Sequence, residues 1–148
     1  MGEMYIPQEL KYSAILGDSA PGVWEKLCDW HLENEMSNFK LKLNGDVRID
    51  TDRINYILNK NSKSKIRVDA NNMWGSVEDG VAYLNELPLG LNGVEEPLKF
   101  PDWKGTNNMS HLLTCPIILD EHVCQYSDLL KIESPQSMIV NLRVSKCG

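Results

Sequence analysis

The feature that most limits what this chain can fold into is a short apolar run that ends abruptly in a polar group, repeated along the sequence. Ile66-Arg67-Val68 ends in Asp69, with Ala70-Asn71 behind it. Leu91-Asn92-Gly93-Val94 runs into Glu95-Glu96-Pro97, and Pro116-Ile117-Ile118-Leu119 runs into Asp120-Glu121-His122. Upstream, Phe39-Lys40-Leu41-Lys42 alternates apolar residues with lysine. Downstream, Met138-Ile139-Val140-Asn141-Leu142 runs into Arg143. Lys42, Asp69, Glu95, Asp120 and Arg143 stand 27, 26, 25 and 23 residues apart. That interval holds one strand and one helix.

The segments between these runs have helical spacing. Val23, Leu27 and Trp30, with Trp24, Cys28 and His31, predict a helix to about Met36. Asp18 or Ser19 can cap it, and Pro21 suits its first turn. Ile54, Ile57 and Leu58 mark a second helix, with Asp50 or Thr51 as its cap. Ser76 followed by Asp79 resembles a capping box for a third through Val77, Val81, Leu84 and Leu87. Weaker helices are expected around 107–113 and 126–132, and a further strand over 12–16. Strict alternation of strand and helix, with connections too long for hairpins, predicts an α/β fold with a parallel sheet and right-handed crossovers.

One polar residue at the C-terminal end of each of five successive strands predicts a TIM-type barrel with its site on that face. A doubly wound open sheet is the alternative. It would not bring five successive strand ends around one point, and no glycine-rich phosphate loop follows any strand. A complete barrel needs roughly 250 residues. Residues 1–148 are therefore expected to form one incomplete barrel domain of about six strands. It is either a piece of a longer protein or completed by a self-complementing homo-oligomer.

Charge and cysteine content narrow the function. The net charge is -6 and no basic run is present, which argues against a nucleic-acid partner. No apolar run approaches the ~20 residues of a membrane span, and the first eight residues lack a signal-peptide pattern. Cys28, Cys115, Cys124 and Cys147 are scattered without a C-x-x-C pair. They read as reduced thiols of a cytoplasmic protein.

Three carboxylates brought to one point repel or take up protons unless a cation joins them. Oxygen-only ligands favour Mg²⁺. Asp69, Glu95 and Asp120 are the candidate metal ligands, with Asn71 and Glu96 beside them. Taken singly, each acid could equally cap a helix or sit in a solvated loop. Lys40 and Lys42 are two apart and so point to one side of their strand. Periodicity allows two placements: both inward, beside the carboxylates, or both outward, with Phe39, Leu41 and Leu43 inside. Position favours the first, because Lys42 closes its strand one unit before the first candidate ligand. There it can serve as a general base if its surroundings lower its pKa. His122 is a candidate for the rim of the site and Trp74 for its lining. His31 and His111 read as core or surface histidines. Trp24 and Trp30 read as helix–sheet packing, and Trp103 as a loop or interdomain contact.

The order Lys40-Leu41-Lys42, Val68-Asp69-Ala70-Asn71, Val94-Glu95-Glu96-Pro97, Leu119-Asp120-Glu121 and Ser145-Lys146-Cys147-Gly148 resembles the enolase superfamily. The likeness is to its muconate-lactonizing-enzyme and mandelate-racemase branch, which includes dipeptide epimerases and o-succinylbenzoate synthases. It covers the chain from about Tyr12. The resemblance implies a modified (β/α)7β barrel that here lacks the family's N-terminal capping domain and last strands. It implies that Asp69, Glu95 and Asp120 bind Mg²⁺, that the metal holds a small carboxylate substrate, and that Lys42 removes the proton alpha to that carboxylate. Lys40 would help neutralise the developing enolate. Glu121 and Lys146 are further residues near the implied site. The sixth strand of lysine-base relatives ends in a second lysine facing the first; here Arg143 stands at that position. Arginine is a poor base. The resemblance therefore points to a one-base isomerase or lyase, with Arg143 as an electrostatic stabiliser and two-base epimerisation disfavoured. A catalytically inactive metal- or ligand-binding form of the same barrel is the alternative.

Overall fold

The computed structural model describes residues 12–143 and 145. Six parallel strands alternate with helices: β1 (Ala14–Leu16), α1 (Val23–Glu33), β2 (Asn38–Lys42), α2 (Val47–Lys60), β3 (Lys65–Asp69), α3 (Val77–Glu86), β4 (Gly93–Glu95), α4 (Trp103–Leu112), β5 (Ile117–Leu119), α5 (Tyr126–Leu129) and β6 (Met138–Val140). The strands pair in simple sequence order, β1-β2-β3-β4-β5-β6. That order separates the two architectures. A doubly wound sheet reverses direction at a switch point, whereas right-handed crossovers that always step the same way place every helix on one face and curl the sheet into a barrel. The expected partial barrel is what forms.

The strand faces divide by residue type. Ala14, Leu16, Phe39, Leu41, Ile66, Val68, Val94, Ile117, Leu119 and Met138 are buried and join the core shared with the helices. The intervening residues, Ile15, Lys40, Lys42, Arg67, Asp69, Glu95, Ile118 and Ile139, lie on the opposite face, the inner face of the barrel. The two placements open for the lysines are thus resolved. The apolar partners point outward to the helix layer, and Lys40 and Lys42 point inward. A cavity of about 260 Å³ lies on the inner face, lined by Ser13, Asn38, Arg67, Asn92, Glu95 and Ile118 among others. Gly93 lets Ile118 pack closely on β4, since a Cβ there would run into Ile118 at 2.8 Å.

Several local expectations are corrected. α1 starts at Val23 behind Gly22 (φ 80°), whose N–H is accepted by the Glu25 carboxylate, and ends at Glu33. Asp18 is not its cap but binds Arg53 at 2.8 Å. α2 is capped by Asp46, which accepts the N–H of Arg48, so neither Asp50 nor Thr51 caps it. Ser76 caps α3 as expected, accepting from Asp79. α4 begins at Trp103 behind the cap Asp102, so Trp103 is helical and not in a loop. Trp24 is buried under Arg53 and Tyr56, but Trp30, expected to pack between helix and sheet, is 56% exposed. Many exposed apolar side chains gather at the two margins. These are Tyr12, Ile15, Val23, Leu27 and Trp30 on one side, and Tyr126, Leu130, Ile139 and Leu142 on the other. β1 and β6 are the sheet's two edges.

Candidate functional site

The inner-face residues at the C-terminal strand ends meet through register. Lys42 is the cross-strand partner of Asp69, and Asp69 is the partner of Glu95. The ladder runs on past the strands. Ala70 N–H donates to the Glu95 carbonyl, Asn72 N–H to the Glu96 carbonyl, and Glu96 N–H to the Ile118 carbonyl. Asp69, Glu95 and Asp120 are therefore fixed on adjacent strands, and their residues are 5%, 3% and 6% exposed.

Two cations hold these acids. The Lys40 ammonium lies 2.9 Å from Asp69 Oδ2 and 2.8 Å from Glu95 Oε2. Burial works against its charge, but the hydrogen bonds it donates to Glu95 and Asp69 and their attraction outweigh burial, so its pKa is raised above 10.5. Arg143 forks onto Asp120, with Nε 2.9 Å from Oδ1 and Nη2 2.6 Å from Oδ2, and reaches the exposed Glu121 at 3.5 Å. Lys42 is exposed and makes no ion pair among the described residues. Asn71 is also exposed. Its backbone N–H donates to Asp69 Oδ1, and its φ of 48° is a left-handed conformation that asparagine tolerates. Lys146 and Cys147 lie outside the described residues.

The donor set suits a hard divalent cation, being three buried carboxylates on neighbouring strands with Lys40 standing where positive charge is required. Their side chains are not drawn into one cage as they stand. Among the described residues no three Asp, Glu, His or Cys groups are close enough to hold a metal ion. Asp120 is turned to Arg143.

Two expected site residues are elsewhere. Trp74 is buried against Tyr83 and beneath Gly80, packed among the helices and away from the inner face. His122 is 2% exposed, with its ring edge-on to Phe100 and Trp103, so it is packed inside the protein and not on the rim. His111, as expected, is structural and meets Ser134 Oγ at 3.2 Å.

Two buried carboxylates were not legible as anchors. Asp50, fully buried, accepts the N–H groups of Asn44 at 3.1 Å and Gly45 at 3.4 Å, and the Tyr83 hydroxyl at 2.6 Å. It ties down the loop that follows Lys42. Burial and that hydrogen bond push the Tyr83 phenol well above its ordinary value. A signal existed: Asp50 shares the helical stripe of Ile54 and Ile57, and a carboxylate on a core-facing stripe needs donors. The second anchor is Glu96, whose side chain crosses from β4 to the loop after β5.

Residues 24–148 match the enolase C-terminal domain-like family, and the chain belongs to it. It is 33% identical over 111 residues to an L-Ala-D/L-amino acid epimerase from Maribacter sp., covering 74% of this chain and 32% of that protein. It is 31% identical over 117 residues to an L-amino acid-D/L-Glu epimerase from Sulfurimonas denitrificans, covering 78% of this chain and 34% of that one. The chain thus spans about one third of the length of these curated relatives. Among solved structures, a dipeptide epimerase from Enterococcus faecalis complexed with Mg and the dipeptide L-Leu-L-Tyr superimposes with a TM-score of 0.81 at 23% identity, over 94% of this chain and 40% of that chain. An N-succinyl Arg/Lys racemase from Bacillus cereus gives 0.84 at 21%, over 97% and 40%. At these identities the likeness establishes the fold.

Proposed function

We propose that residues 1–148 are the catalytic barrel domain, or the major part of it, of a Mg²⁺-dependent enzyme that removes a proton alpha to a substrate carboxylate. The observation that carries this reading is the Lys40–Asp69–Glu95 cluster, with Lys42 beside it in register. Asp69, Glu95 and Asp120 would hold the ion. A bound Mg²⁺ supplies fixed positive charge where negative charge grows on the substrate carboxylate.

The chain's own residues divide the remaining work. Lys42 is placed to take the proton, since it is exposed at the strand end and stands in register with Asp69. Lys40 is unsuited to that task, because two acids keep it protonated. Its part is to stabilise negative charge. Arg143 stays protonated and is held by Asp120, so it too is a charge stabiliser and not a second base.

The names of the relatives, L-Ala-D/L-amino acid epimerase and L-amino acid-D/L-Glu epimerase, favour an epimerase-type reaction on a substrate built from amino acids. Arg143 favours removal and return of the proton on one face. Incubation with L,L-dipeptides and N-acyl amino acids in D₂O distinguishes the two. One-base chemistry places deuterium at the alpha carbon with retained configuration; two-base chemistry inverts it. Lys42→Ala should abolish either. Exchange that is undiminished in Lys42→Ala rejects Lys42 as the base.

A non-catalytic binding protein on the same barrel is the second reading. It is favoured by the Arg143 fork, which engages both carboxylate oxygens of Asp120. Mg²⁺ binding without exchange on any carboxylate would support it. The three described cysteines, all free thiols, support a cytoplasmic setting for either.

A further inference from the structure

Glu96 is 1% exposed and His122 is 2% exposed, and the proton-transfer scheme uses neither. Glu96 follows Glu95 directly but takes a left-handed backbone, φ 43°, which costs a non-glycine residue energy and swings its side chain away from its neighbour's direction. The carboxylate crosses to the loop after β5. One oxygen accepts the backbone N–H of Asp120 and, at 3.0 Å, that of His122. The other oxygen meets His122 Nδ1. Three donors thus converge on one buried carboxylate, the arrangement such a group requires.

The histidine has a defined part. Its Nε2 is buried with no hydrogen-bond partner among the described residues, and its ring is wedged between Phe100 and Trp103. Glu96 offers only acceptor oxygens here, so Nδ1 carries a hydrogen and donates it to Glu96. The ring therefore serves as a wedge that holds Glu96 in its strained direction.

We propose that Glu96 and His122 are a positioning pair that fixes the backbone of Asp120, and through it the third carboxylate of the metal site. The dipeptide Glu95-Glu96 would then do two things at one strand end. Glu95 supplies a carboxylate to the site, and Glu96 aligns the next strand's contribution. This rests on the reading of Asp69, Glu95 and Asp120 as Mg²⁺ ligands. Groups that hold metal ligands in place commonly change affinity 10- to 100-fold when removed.

The test uses Mg²⁺ alone, titrated calorimetrically into the chain at a temperature where circular dichroism shows each variant folded. Glu96→Ala and His122→Phe should each weaken binding by about 10-fold or more. His122→Asn, which restores a donor near the Nδ1 position, should stay within about threefold of the parent chain. A second readout needs no metal: amide hydrogen exchange at Asp120 and His122. Exchange there should quicken in Glu96→Ala and His122→Phe while Val68 and Val94 stay protected. His122→Phe keeps the packing, so it remains informative if Glu96→Ala does not fold. Parent-like affinity in His122→Phe, with binding abolished in Asp69→Asn, overturns the positioning pair and leaves the metal site standing. Binding that is unaffected by Asp69→Asn, or absent from the parent chain, overturns the metal site and this role with it. Unchanged exchange at Asp120 overturns the positioning role on its own.

Discussion

Two cations each hold acid at the strand ends, and they do so in opposite settings. The Lys40 side chain is 15% exposed and lies between carboxylates whose side chains are 7% and 4% exposed. Arg143 is 47% exposed and reaches Asp120, at 9%, and Glu121, at 50%. Both pairings are short and well formed. The difference lies in what is left behind when the cation goes. Without Lys40, two buried acids face each other with no counter-charge. Without Arg143, one acid loses a partner at the edge of solvent. Burial, not distance, decides which clamp the fold depends on.

The largest expected effect follows from the inner clamp. Lys40→Met should lower the stability of the metal-free chain by about 3 kcal/mol or more, because removing one partner strands buried charge. A urea titration measures it. Combining Lys40→Met with Glu95→Gln should recover part of the loss, and a double variant less stable than Lys40→Met alone would show that charge is not the cause.

The same clamp predicts a pH dependence. The folded-state pKa of Lys40 lies above 10.5, since burial lowers it but its two acids raise it more. Its stabilisation is therefore fully present below the unfolded-state value and is lost as pH rises through the folded-state value. The stability difference between the parent chain and Lys40→Met should hold steady up to about pH 10 and shrink above it. Tyr83 also titrates high, but it is common to both chains and drops out of the difference. A gap that shrinks instead between neutral pH and pH 9 would contradict this.

The outer clamp should matter far less to stability. Arg143→Gln should cost no more than about 1 kcal/mol in the same urea assay, as half-exposed pairs do. A loss as large as that of Lys40→Met would erase the distinction drawn between the two. It should also remove the fork from Asp120, and Mg²⁺ affinity should rise in Arg143→Gln; unchanged affinity would show that the fork does not compete with the ion.

The smallest expected change in stability is that of Lys42→Ala, within about 0.5 kcal/mol, since the side chain is exposed and makes no ion pair among the described residues. Its expected loss of alpha-hydrogen exchange would then be a chemical effect and not a folding one.

Much of the arrangement is legible in the sequence. Interval and strand-end chemistry placed Lys42, Asp69, Glu95, Asp120 and Arg143 at one end of a sheet, and Ser76 marked the start of α3. What could not be read was long-range. Asp50 looked like a helix cap because its neighbours suit one; its hydroxyl partner, Tyr83, is 33 residues away. His122 looked like a rim residue because it follows a candidate ligand; its anchor, Glu96, is 26 residues away. Trp74 is buried among the helices and Trp30 is exposed, each against expectation, since a tryptophan's burial depends on which helix packs over it.

The sequence alone determined the repeating strand–helix unit, the parallel sheet, and the polar residue that closes each strand. Those follow from local periodicity and from the length a crossover requires. Only the tertiary structure decided which side of the sheet is the inside. Alternation along β2 allows two mirror readings, and one is chosen only when the helices cover Phe39 and Leu41 and leave Lys40 facing Asp69 and Glu95. A period of two separates the faces of a strand but does not say which of them the helices will cover.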